Sequence, residues 1–184
     1  MLRTGCALLL AALLSAASAS AQGPGTKFAG IIGGATLSDI DNLPAFADDR
    51  WGGTAGLIGG INAGRTALTL EAYWIQKGGG DRKLDCIEFP LTLGAIFAPE
   101  TGATRVRLYS GVSFAFLLAS DASATEWGLP LGLQVAKVTN TGKFFGIDVR
   151  YTFPLTNVFE VGDGHNRVWA FRLMFGKAIG SSSR

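Results

Sequence analysis

Glu71, Glu88 and Asp148, with Arg105, Arg107, Arg150 and Arg172, occupy alternate positions of runs whose other positions carry large apolar side chains. Carboxylates near guanidinium groups suit two kinds of chemistry. In a cleft that admits substrate, two carboxylates act as general acid and base. In a closed interior they pair with cations, because buried charge of a single sign is very costly. A narrow interior favours the second reading, a luminal charge network with a structural role.

The other reactive groups are weaker signals. His165, the one histidine, sits in Gly162-Asp163-Gly164-His165-Asn166 within a polar stretch. Spacing pins no serine or carboxylate to it, so it reads as a solvated loop residue rather than a catalytic base. Asp39, Asp41, Asp48 and Asp49 make an acidic loop, more simply hydrated than loaded with a divalent cation. The glycine runs at 30–34 and 56–64 precede no helical pattern and are not phosphate cradles. No catalytic, cofactor-binding or metal site is expected, and the chain reads as a non-enzyme.

Strands must position these residues. From Thr26 to Lys177 a stretch of alternating character recurs eight times, at Thr26–Thr36, Gly52–Asn62, Thr66–Gln76, Leu84–Ala98, Thr104–Leu118, Trp127–Val138, Lys143–Leu155 and Arg167–Lys177. Long connections (37–51, 77–83, 119–126, 156–166) alternate with short ones (63–65, 99–103, 139–142). Side-chain volume then decides which face is inside. One parity carries Leu91, Leu93, Phe114, Phe116, Phe171, Phe175 and many more of their size, too much for an eight-stranded interior. The other parity, with the seven charges among small and polar residues, is sized for a narrow lumen. The large apolar face is therefore expected to face lipid, with Trp74, Trp127, Tyr151 and Trp169 as interfacial aromatics. The fold expected is all-β, an eight-stranded antiparallel transmembrane barrel in an up-and-down meander.

Targeting agrees. Arg3, the apolar run Cys6 to Leu14 and Ala19-Ser20-Ala21 form a secretory signal with cleavage after Ala21, which leaves residues 22–184 as one barrel domain. Mean hydropathy is positive at +0.30, yet after the signal no uncharged stretch reaches the ~18 residues of a spanning helix. Without Arg3 the 16 basic residues fall to 15 against 14 acidic ones, which offers nothing to nucleic acid. Cys86 is then the single cysteine, excluding an intramolecular disulfide, and reads as a small buried side chain.

Leu70-Glu71-Ala72-Tyr73-Trp74-Ile75-Gln76-Lys77-Gly78, then Ile87-Glu88-Phe89-Pro90-Leu91, Leu108-Tyr109-Ser110-Gly111, Asp148-Val149-Arg150-Tyr151, Leu155-Thr156-Asn157 and Asn166-Arg167-Val168 resemble, in order, the strand motifs of the PorT-like outer-membrane β-barrel proteins of Bacteroidetes-type bacteria. The resemblance implies an eight-stranded barrel, in a family whose members mostly have no assigned activity. Two departures stand out: Trp74 replaces a serine, and the chain runs on to Arg184 rather than ending on an aromatic strand residue.

The expectation is an integral protein of the bacterial outer membrane, both termini periplasmic, its filled lumen non-conducting and its role structural or in surface interaction. Its partners would be outer-membrane lipid and a protein or surface ligand at the long loops, with no cofactor and a monomeric state favoured. A rim-active enzyme and a soluble periplasmic barrel holding a lipophilic ligand are the alternatives. The second requires the opposite facing of Phe114 and Phe171.

Overall fold

The computed structural model describes residues 26–41, 48–97, 104–118, 125–157 and 164–179. The expected signal segment, residues 1–21, lies outside them. Eight strands follow one another: β1 Thr26–Asp41, β2 Arg50–Ala63, β3 Thr66–Gly79, β4 Arg82–Phe97, β5 Thr104–Leu117, β6 Thr125–Val138, β7 Lys143–Pro154 and β8 His165–Ile179. Each pairs antiparallel with its neighbours in sequence, and β8 returns to β1, so the sheet closes as an up-and-down barrel. Closure leaves no edge strand with unpaired backbone groups.

Connections gather at two ends, here the turn end (β2–β3, β4–β5, β6–β7, with the start of β1 and the end of β8) and the loop end. Gly64 makes the β2–β3 turn with φ 61°, a conformation that resists side chains. At the loop end the structure corrects the sequence reading. The expected long loop 77–83 is a hairpin whose turn is Gly80-Asp81, with Gly80 at φ 53°. β1 continues five residues past Thr36 and pairs with β8 as far as Asp41 opposite His165. His165 is therefore the half-buried first residue of a strand rather than a loop residue.

The parity holds. Leu91, Phe116, Phe171 and Phe175 are exposed on the outside, with Leu93 and Phe114 on the same face and half-buried among neighbours. In the glycine-rich first two strands, Ile31, Leu57 and Ile61 point out while Ile32 and Ile58 are buried inside. Outside, toward the loop end, aromatic rings touch in chains: Phe89 to Phe116 to Phe114 to Trp127, and Phe153 to Tyr151 to Trp169 to Phe171. Beyond that belt charges join the exterior, with an ion pair between Asp39 and Arg167 and another between Lys83 and Asp85 beside exposed Leu118 and Leu155.

Two prolines lie inside strands. The β3–β4 pairing lapses at Glu71-Ala72 opposite Phe89-Pro90, and the β5–β6 pairing lapses at Gly111-Val112 opposite Leu129-Pro130. Both resume in unchanged register. A proline has no N–H to give to the ladder, so a gap at these points is what its chemistry requires.

Candidate functional site

Inward positions of β3 include Glu71, Tyr73, Ile75 and Lys77, all buried, because alternate residues of a strand share a face. Facing them across the lumen are Asp148 and Arg150 of β7 and Arg172 of β8. Arg150 donates from Nη2 to Glu71 Oε1 at 2.5 Å, and Arg172 donates from Nη1 to Glu71 Oε2 at 2.9 Å. Arg172 also reaches Asp148 Oδ1 from Nε at 2.9 Å and from Nη2 at 2.5 Å, a contact that register helps, since Asp148 and Arg172 are direct cross-strand partners. Two arginines and two carboxylates thus form a balanced group, with guanidinium forks matched to carboxylate oxygens.

Two tyrosines extend it. Tyr109 donates its hydroxyl hydrogen to Asp148 Oδ2 at 2.6 Å and accepts from Arg150 Nε at 3.0 Å. Tyr73 accepts from Arg150 Nη1 at 2.8 Å and donates to Glu88 Oε1 at 2.9 Å. Glu88 in turn pairs through Oε2 with Lys77 Nζ at 2.8 Å, and Lys77 also meets Glu126 Oε2 at 3.3 Å. One continuous chain of polar contacts therefore runs from Glu126 through Lys77, Glu88, Tyr73, Arg150 and Glu71 to Arg172 and Asp148. Apolar groups flank it along the lumen: Ile40, Leu84, Cys86, Leu117 and Val168 in one cluster, Ile32, Ile58 and Met174 in another.

Of the seven charges singled out by parity, Glu71, Glu88, Asp148, Arg150 and Arg172 come together. Arg107 pairs with no carboxylate among the described residues, donating from Nη2 to Thr92 Oγ1 at 3.0 Å with its guanidinium carbon 4.9 Å from the centre of the Tyr109 ring. A direct Glu88–Arg107 pair, which adjacent strands suggest, does not form, since Arg107 sits opposite Ile96 and Gln134, far along the strands from Glu88. Arg105 has the inward parity but is exposed at the turn end, and does not join the network. Sequence reasoning missed Lys77 and Glu126, which it left in loops, and the two tyrosines as bridges. The signal for Lys77 was present: it continues the inward parity of Glu71, Tyr73 and Ile75.

Glycines make room for the bridging rings. A Cβ on Gly132 would lie 2.3 Å from the Tyr109 hydroxyl oxygen, and one on Gly56 would lie 2.3 Å from Tyr73 Cβ. Among the described residues no cluster of histidine, cysteine and carboxylate has the arrangement of a metal site. The arrangement can hold charge rigidly across the lumen.

No protein-family model matches the sequence, and no curated protein matches it. Solved structures do. Neisserial surface protein A superposes with a TM-score of 0.67 at 10% identity, over 83% of this chain and 97% of that one. The outer membrane protein OprG of Pseudomonas aeruginosa gives 0.55 at 18% identity, over 84% and 96%. The outer membrane protein AlkL gives 0.51 at 12% identity, over 90% and 97%. At these identities the likeness is one of fold, and the fold is the eight-stranded closed antiparallel barrel.

Proposed function

We propose that the chain is an integral outer-membrane barrel whose lumen conducts no solute and whose role is structural or in surface interaction rather than enzymatic. The observation that carries this reading is the inversion of polarity: large apolar side chains cover the outside while carboxylates, arginines and a lysine are buried within. A soluble monomer rarely exposes apolar patches beyond a few hundred Å², whereas a bilayer accepts such a surface and leaves polar groups to the lumen. The soluble barrel with a lipophilic interior requires Phe114 and Phe171 inside, and both are outside. Likeness of fold to outer membrane proteins supports the same location.

The short turns, the start of β1 and the end of β8 gather at one end, which by the usual build of such barrels is periplasmic. The opposite end, with its longer connections, is then the surface where a protein or surface ligand would be met. The ordered motifs from Leu70 to Val168 support membership of the PorT-like group. Arg150 and Arg172 spanning the lumen to Glu71 support the non-conducting reading.

The test has two arms. The protein should fractionate with outer membranes and migrate differently in SDS gels before and after boiling, and it should give no steady open steps in planar-bilayer recordings. Recovery in the soluble periplasmic fraction overturns the membrane reading, and reproducible protein-specific conductance overturns the closed lumen.

A further inference from the structure

At the turn end the lumen widens into a cavity of about 270 Å³, slightly under the ~300–1,000 Å³ of small-molecule sites. Its walls divide by chemistry: Phe28, Ile96, Val138 and Phe144 supply apolar surface, and Arg105, Arg107 and Gln134 supply polar groups. Phe28 and Phe144 meet edge to face at 5.7 Å, which fixes the apolar wall.

Arg107 is the informative member. It is only 5% exposed, yet no carboxylate among the described residues pairs with it, and its Nε is buried without an acceptor. Of its five N–H donors, one is matched, by Thr92 Oγ1. The luminal carboxylates are committed elsewhere: Glu71 and Asp148 to Arg150 and Arg172, Glu88 and Glu126 to Lys77. A buried guanidinium lacking a counter-ion is costly, and this one borders an open cavity beside a second arginine.

We propose that the turn-end mouth binds a small organic anion, a carboxylate bearing a short apolar chain. Arg107 and Arg105 receive the carboxylate through charge-assisted hydrogen bonds, and the chain lies against Phe28 and Phe144. The site is independent of which side of a membrane the turn end faces and of what the loop end meets.

Titration of the isotope-labelled protein, refolded in a zwitterionic detergent, with octanoate, octanol and acetate tests this by backbone amide shifts. Octanoate should shift Gln134, Phe144 and Ala178 saturably, octanol should need roughly 10-fold more, and acetate should give no saturation in the same range. Arg105→Gln and Arg107→Gln should each weaken octanoate binding about 10-fold, the loss of one charge-assisted bond, with octanol unaffected. Should Arg107→Gln fail to refold, Ala178→Phe, which fills the mouth without altering a charge, must abolish the octanoate shifts. Equal affinity for octanoate and octanol overturns the proposal, as does acetate binding as well as octanoate. Octanoate shifts confined to the outer face, at residues such as Leu131 and Leu173, overturn it too.

Discussion

Glu71 holds two arginines at once, one on each carboxylate oxygen, while Lys77 holds two glutamates. The asymmetry sets the order of sensitivity to charge removal. Glu71→Gln leaves Arg172 with Asp148 but Arg150 with only the Tyr73 and Tyr109 hydroxyls, and is expected to cost about 3 to 5 kcal/mol. Glu88→Gln should cost clearly less, because Glu126 remains on Lys77. Asp39→Asn breaks a pair on the outer surface, where Arg167 is 44% exposed, and should cost under about 1 kcal/mol. Refolding midpoints in urea from lipid vesicles check the order, and a Glu71→Gln midpoint equal to wild type would remove the network from the account of stability. Parity revealed which side of the sheet each charge takes, since alternation is a local property of a strand. It could not reveal depth along the barrel, which is why Arg105 reads as luminal from sequence and lies instead at the mouth.

Strand interiors were legible because the apolar positions there are large and regular; strand ends were not. Beyond the aromatic belt the outward residues become Gln76, Lys83 and Asp85 while the inward ones become Ile40, Leu84 and Cys86, so the pattern reverses and reads as loop. That reversal hid the last residues of β1, whereas Gly78 and Gly79 and the charges of Arg82 and Lys83 made the end of β3 and the start of β4 read as loop. Within the strands the outward face should behave as lipid-facing: Phe114→Arg is expected to cost about 2 to 4 kcal/mol in bilayers, and Ser113→Ala, inward and small, should be mild. Equal tolerance at the two neighbours in the same titration would reverse the facing. Glycine placement belongs to this scale as well, because Gly132 on β6 makes room for a tyrosine on β5. Gly132→Ala should push the Tyr109 hydroxyl away from Asp148 and Arg150 and destabilise by about 1 to 3 kcal/mol. Tyr109→Phe, which removes the same bonds without crowding, separates the two contributions: if Gly132→Ala is as stable as wild type, the ring is not held where the structure places it.

At the scale of the molecule, strands of 12 to 16 residues, rising ~3.3 Å per residue and tilted by ~45°, reach across the ~30 Å hydrocarbon core of a bilayer. The meander was readable because eight runs with alternating long and short connections admit few other arrangements, and closure followed from the need to leave no edge. Closure also fixes when the molecule can exist. β1 and β8 pair without a gap from Lys27 opposite Ile179 to Asp41 opposite His165, so the first strand made must wait for the last before its outer backbone groups find partners. Contacts spanning nearly the whole sequence delay the rate-limiting event until the chain is finished, and every shorter intermediate carries two unsatisfied edges prone to association. A chain stopped before His165 should therefore yield no boiling-sensitive species at all, rather than a smaller barrel, and refolding of the full chain should be slow and nearly all-or-none, with tryptophan emission and gel shift advancing on the same clock.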